Sequence, residues 1–204
     1  YRILELGVPE WVEARPSNDA FVAENRVSRG GKVSQVAFPK SSTLRWRHPA
    51  TARRPAVDTF WYDGGMKPQT PEELYMDGED LSDEGMLFIG DKGKILCDFR
   101  ANKPRLIPGS RQKALEGSMP APQVDTTSPD DEWVNAIRTG GKSRGSFEQV
   151  AALAEAVTLA TIALRVPYKR LLWDAGKTEF TNSPEANKFV RREQYRPGWE
   201  TLFA

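Results

Sequence analysis

One histidine, His48, and one cysteine, Cys97, are the chain's whole supply of imidazole and thiol chemistry. A Cys/His zinc cluster cannot be assembled from that pair, and no disulfide can form within the chain. Cys97 sits in an apolar strand pattern and reads as a small buried hydrophobe. The acidic run Asp77-Gly78-Glu79-Asp80-Leu81-Ser82-Asp83-Glu84 lacks the spacing of a calcium loop and reads as solvated. Ala136 to Ser143 contains Gly-Lys-Ser, but Ala136 stands where a phosphate loop needs its first glycine. That segment reads as a helix ended by Gly140-Gly141. No G-x-G-x-x-G occurs, so a dinucleotide fold within these residues has no sequence support.

Two strings retain binding chemistry. In Arg45-Trp46-Arg47-His48, guanidiniums that fork-bind anions flank an indole whose flat face suits a sugar or base. In Trp61-Tyr62-Asp63-Gly64-Gly65-Met66-Lys67-Pro68, a hydroxyl, a carboxylate and an ammonium surround a glycine turn. The candidate substrate contacts are therefore Arg45, Trp46, His48, Tyr62, Asp63 and Lys67. No catalytic residue, cofactor contact or metal ligand is assigned.

Charge narrows the partners. The chain carries 29 Lys+Arg against 28 Asp+Glu, a net +1. The two signs are segregated: Asn25 to Val57 holds no acid, and Glu72 to Asp91 holds no Lys or Arg. Such blocks make local fields that the sum conceals. An acidic block of that size repels phosphates, so nucleic acid is not expected as a partner. No apolar run reaches the roughly 18 residues of a bilayer span; Ala151 to Leu164 comes nearest. No segment reads as a signal peptide. The start at Tyr1, within an apolar stretch, suggests a fragment or a processed chain.

The elements that must carry these residues follow from periodicity and punctuation. Tyr1 to Leu6 reads as a helix end stopped by Gly7 and Pro9. Strands are predicted over Trp11 to Ala14, Val33 to Phe38 and Val57 to Tyr62, the last with Val57, Thr59 and Trp61 on one face. Lys40 to Pro55 reads as a basic loop or irregular hairpin. Met86 to Ile89 and Lys94 to Phe99 flank a glycine turn and predict a hairpin. The first of those strands is apolar throughout, so both its faces should be covered. Thr70-Pro71, Ser128-Pro129 and Ser183-Pro184 each predict a hydroxyl N-cap followed by proline. Ser146-Phe147-Glu148-Gln149 predicts a capping box on a long Ala-rich helix reaching about Arg165. Late strands are predicted at Arg170 to Asp174 and Glu179 to Thr181. Strands first, then helices, favour an α+β fold.

Several of these strings together resemble the C-terminal half of Gfo/Idh/MocA oxidoreductases, the glucose–fructose oxidoreductase and inositol dehydrogenase relatives of bacterial type. They are Trp61 to Pro68, Leu87 to Lys94, Pro104 to Pro108, Glu132-Trp133, the Ala-rich helix, Trp173-Asp174, Thr181 to Asn187 and Tyr195 to Trp199. The resemblance implies a large open, mostly antiparallel sheet with helices on one face. It implies a single C-terminal domain over 1–204 that works with an N-terminal Rossmann domain lying outside this chain. That missing half would hold NAD or NADP, and none is expected to bind here. The substrate would be a sugar or polyol, and the open sheet face would pack against a second copy as a homo-oligomer. Alone, this chain would be catalytically silent. The alternative is a non-enzymatic carbohydrate-binding or dimerisation module. The resemblance leaves localisation open between cytoplasm and periplasm, and it gives the Arg45 to His48 string no role.

Overall fold

The structure is a computed structural model that describes residues 1–17, 37–118, 127–192 and 194–199, together with the backbone of Val22–Ala23 and Arg26–Val27. These residues form two compact units, Tyr1–Met66 with Ser128–Ala204, and Lys67–Thr127. The predicted strand over Val33 to Phe38 falls mostly outside the described residues; Ala37 and Phe38, which are described, are not extended in a sheet.

In the first unit, β1 (Trp11–Pro16) is followed by a short hairpin, β2 (Val22–Ala23) and β3 (Arg26–Val27), then β4 (Ser42–His48) and β5 (Val57–Tyr62). The second unit supplies α1 (Glu72–Met76), β6 (Met86–Gly90), β7 (Gly93–Cys97), β8 (Arg105–Ile107) and α2 (Gly109–Ala114). The first unit resumes with α3 (Pro129–Thr139), α4 (Phe147–Arg165), β9 (Arg170–Asp174), β10 (Glu179–Phe180) and α5 (Pro184–Asn187). Its main sheet runs β10-β9-β1-β4-β5, and every described strand pair in the chain is antiparallel. The fold is α+β, as the order of elements implies.

The stretch read as a basic loop is the strand between β1 and β5. Ser42, Leu44 and His48 are buried and alternate with less buried neighbours, a strand period partly hidden by Arg45 and Arg47. Tyr1 to Leu6 is not helical; Glu5 N–H bonds Arg2 C=O and Leu6 N–H bonds Tyr1 C=O, which makes turns. Helix α4 lies along β1, and its inward residues Ala156, Leu159, Ala160, Ile162 and Ala163 meet Val12, Ala14, Leu44, Leu171 and Phe180 in one core. Small alanines let the helix backbone approach the sheet. Its lone interior charge, Glu155, accepts from Trp173 Nε1 at 2.6 Å. By length and composition α4 could cross a membrane, and it is the one described helix that could; its inward side is spent on the sheet instead.

The caps fall close to their predicted places. Ser128 accepts from Asp131 N–H, Ser183 accepts from Ala186 N–H, and Gly140 closes α3 in the left-handed conformation. Two caps differ. Ser146 occupies the cap position of α4 without accepting a bond, its hydroxyl buried and unpartnered. Pro71, not Thr70, precedes α1, and the Thr70 hydroxyl donates to Asp80.

The second unit is a β6-β7-β8 sheet over a small core of Leu74, Leu81 and Ile107, with Leu87 and Leu96 against it. The hairpin turns at Asp91-Lys92, between paired Gly90 and Gly93. Within the single chain, Ile89 of strand β6 is 70% exposed. The acidic block finds local partners, with Glu73 2.6 Å from Lys94, Asp77 accepting from Gly109 N–H at 2.6 Å, and Glu79 paired with Arg105.

Candidate functional site

Register assigns each candidate side chain to a face of the main sheet. Paired residues share a face, so Val12, Trp46 and Thr59 form one row, and Glu13, Arg45 and Phe60 another. The Trp46 row faces α4. The Arg45 row lies on the opposite side, which no described helix occupies, and β9 continues it with Arg170 opposite Glu13 and Leu172 opposite Trp11.

Of the six candidates, Arg45 and Tyr62 lie on this open face. The Arg45 guanidinium is 5.2 Å from the centroids of both the Trp11 and Phe60 rings, and Arg170 reaches Trp11 from the other side at 4.1 Å. Tyr62 stacks on Phe60 at 6.5 Å. Asp58 binds Arg45 at 3.0 Å and Arg47 at 3.2 Å. Burial would raise the Asp58 carboxyl, but the two guanidiniums outweigh it and hold the group below its ordinary range. The face is an array of arginines interleaved with aromatic rings and cross-linked by Glu13 and Asp58.

Trp46 and His48 lie away from the open face. Both fall on the helix side of β4, because two-residue alternation sends them opposite to Arg45 and Arg47. Trp46 donates from Nε1 to the Ala156 carbonyl at 2.9 Å and packs against the core. His48 is fully buried, with Nδ1 3.2 Å from Gly7 C=O, Nε2 3.2 Å from the Thr59 hydroxyl, and the Tyr1 ring edge-on at 5.3 Å. A carbonyl can only accept, so Nδ1 carries the proton and Nε2 accepts from Thr59. The ring is a neutral cross-link between Gly7 and Thr59. Burial lowers its pKa, the Gly7 bond opposes that, and the nearby Arg54 charge adds to the lowering.

That direction has a sign. A depressed folded value means the unfolded chain takes up the proton first as pH falls, so His48 contributes stability above about pH 6.5 and loses it below. Urea unfolding between pH 7.5 and 5 will show stability falling by up to about 1.4 kcal/mol per pH unit below 6.5 from this group. His48→Gln will remove that component of the slope; an unchanged slope would reject the assignment.

Asp63 and Lys67 are separated by the unit boundary. Asp63 Oδ1 accepts from Ser42 N–H at 2.5 Å and Oδ2 from the Ser42 hydroxyl at 2.9 Å, with Trp61 Nε1 at 3.2 Å. Its carboxylate therefore fastens the end of β5 to the start of β4. Gly64 beside it has φ +62°, and a Cβ there would sit 2.2 Å from the Lys40 carbonyl oxygen, so the turn requires glycine. Lys67 donates to Leu81 C=O at 3.0 Å and pairs with Asp83 at 2.8 Å.

Sequence reasoning missed Trp11, Asp58, Phe60 and Arg170, which build the open face with Arg45. A period-2 reading of β4 would have located them, since one-residue offsets decide every neighbour. It also missed Arg54, whose guanidinium donates to five carbonyls, those of Leu4, Glu5, Leu6, Pro49 and Pro55, at 2.6 to 3.0 Å. Cys97 is buried as expected, and burial pushes its thiol up. Among the described residues no group of three or more His, Cys, Asp or Glu could hold a metal ion.

The antiparallel sheets and helices of the two units are those of an α+β protein, and one face of the main sheet carries arginines and aromatic rings. Residues 51–201 match the oxidoreductase-family C-terminal alpha/beta domain of the Gfo/Idh/MocA group, and the chain belongs to that family. No match is found among curated proteins or among solved structures.

Proposed function

We propose that this chain is the substrate-side and self-association domain of an NAD(P)-dependent oxidoreductase acting on a sugar or polyol, with both units serving as one C-terminal domain. Family membership supports the oxidoreductase setting. The open sheet face is the observation that carries the self-association role. Phe60 is 50% exposed there and Leu172 is also exposed, beside arginines already stacked on rings. Aromatic residues and arginine are the types enriched in protein interfaces.

The nicotinamide dinucleotide does not fit the described residues. They contain no glycine-rich strand–turn–helix and no parallel strand pair; on this reading, which rests on the family, the dinucleotide is held by a Rossmann partner domain outside this chain. No chemical step is assigned to these residues, and the chain alone is silent in hydride transfer. On this reading Arg45 and Tyr62 are interface residues. Trp46 and His48 support the core, Asp63 fastens the sheet, and the substrate side narrows to Lys67. Its ammonium is adaptable, because its partner Asp83 is almost fully exposed and such pairs hold weakly.

Sedimentation velocity across a concentration series tests the central claim. The chain will shift from monomer to dimer, and Phe60→Ala will move that shift to concentrations at least about tenfold higher, because it removes an aromatic anchor from the face. A monomer at every concentration would reject self-association. Titration with NAD tests the division of labour: saturable tight binding to this chain would overturn it.

A further inference from the structure

We propose that the arginine-lined cavity following α5 binds a carboxylate or phosphate group carried on a small sugar ring. The cavity measures about 420 Å³ and is lined by Val190, Arg191, Arg192, Tyr195, Arg196 and Trp199. That volume lies within the range of small-molecule sites. One wall is anchored to the fold. Val190 packs against the main core, and its N–H bonds the Asn187 carbonyl at 3.2 Å. Trp199 N–H bonds the Arg196 carbonyl at 3.0 Å, and Gly198 at φ +89° makes the turn between them.

The chemistry of the lining points to an anion. Three guanidiniums occur within six residues, and among the described residues none of them forms an ion pair. The arginines of the open face differ, each being held by Asp58 or Glu13. Clustered unpaired cations repel one another, and an anion entering between them removes that repulsion. Guanidinium forks match the geometry of carboxylate and phosphate oxygens. The second requirement, a ring, comes from Trp199. Its indole is half exposed and lies 5.8 Å from the Arg196 guanidinium, so a flat apolar face and a cation stand side by side. A ring bearing its charge at one end meets both at once. The ring half of the assignment rests on the sugar reading above; the anion half does not.

Isothermal titration of the 204-residue chain with four probes tests this: glucuronate, glucose 6-phosphate, glucose and inorganic phosphate. One or both sugar anions will bind saturably, and glucose will bind at least about tenfold more weakly. Arg196→Ala will weaken the anions by about tenfold or more, while Arg196→Lys, which keeps charge but loses the fork, will recover only part. Trp199→Ala will abolish the preference for sugar anions over phosphate. These side chains are exposed, so circular dichroism of the variants should match the parent. Binding of glucuronate alone, or of glucose 6-phosphate alone, selects the carboxylate or the phosphate. Glucose binding as tightly as the anions would overturn the anion assignment and leave the sugar reading standing. Phosphate binding as tightly as glucose 6-phosphate would overturn the ring half. No saturation by any probe would overturn the proposal as a whole, while the sedimentation test of the open face stays independent.

Discussion

Phe180→Ala lowers the unfolding free energy of the first unit by about 3–5 kcal/mol, measured by urea titration at neutral pH. Phe180 is 2% exposed and lies in the main core with Leu171, Leu159 and Ala186. Its ring meets Trp173 at 4.9 Å between centroids, an aromatic pair that the substitution also removes. Strand β10 has only two residues, so the site has little means of collapsing around the cavity. The backbone at Phe180 is meanwhile pinned by Asn187, which accepts from its N–H at 2.7 Å and donates to its carbonyl at 2.9 Å. Phe147→Ala is the control: that ring is 91% exposed, and its loss should change stability by no more than about 0.5 kcal/mol. Equal effects of the two substitutions would show that the core is not where α4 and the sheet place it.

Arg54→Ala is expected to cost about 2–4 kcal/mol and to release the Tyr1 to Leu6 segment. One guanidinium gathers carbonyls from that segment and from Pro49 and Pro55, and removing it leaves several acceptors without a donor. The energy is less than the sum of five charge-assisted bonds, because water can reach part of the site and relieve the exposed carbonyls. Arg54→Lys will recover little, since an ammonium cannot span five acceptors in a plane. Hydrogen exchange reads the local part: Glu5 and Leu6 amides, bonded now to Arg2 and Tyr1 carbonyls, lose protection in both variants. Retained protection in Arg54→Ala would mean that the segment is held by the Tyr1–Gly7 bond and the Tyr1–His48 contact instead.

These two residues differ in how visible they are in the sequence. Glu179 and Phe180 stand in a predicted strand, and the Asn182 to Asn187 string beside them belongs to the family resemblance. Two asparagines in it serve the backbone: Asn182 bridges Leu172 N–H and Arg170 C=O, and Asn187 does the same for Phe180. Arg54 is one arginine among eight basic residues in an acid-free stretch, and nothing local distinguishes it. Its partners lie about fifty positions earlier or in adjacent proline segments, a juxtaposition made when β1 pairs with β4.

Local chemistry is enough for the elements with strong punctuation. Ser-Pro pairs start α3 and α5 because a hydroxyl accepts an orphan N–H and proline lacks one. Gly93 closes the hairpin turn at φ +142°, a backbone angle that residues with a side chain rarely adopt. The long Ala-rich helix and its resting place on a sheet follow from its composition. Strand β4 escapes because basic residues at alternate positions mimic a solvated loop until a helix is known to cover the other face.

The sequence by itself determined the α+β class, the family, the absence of a dinucleotide loop from these residues and the glycine turn after Asp63, because each rests on local residue types and their order. Only the tertiary structure decided where the candidate residues lie. Side-chain direction in a strand reverses at every residue, so register sent Arg45 and Tyr62 to an open arginine–aromatic face and Trp46 and His48 into the core. Whether a cation is spent or available likewise depends on partners distant in sequence. That is why Arg45 is paired with Asp58 and Arg54 is held by carbonyls, while Arg191, Arg192 and Arg196 face a cavity with no acid among the described residues to hold them.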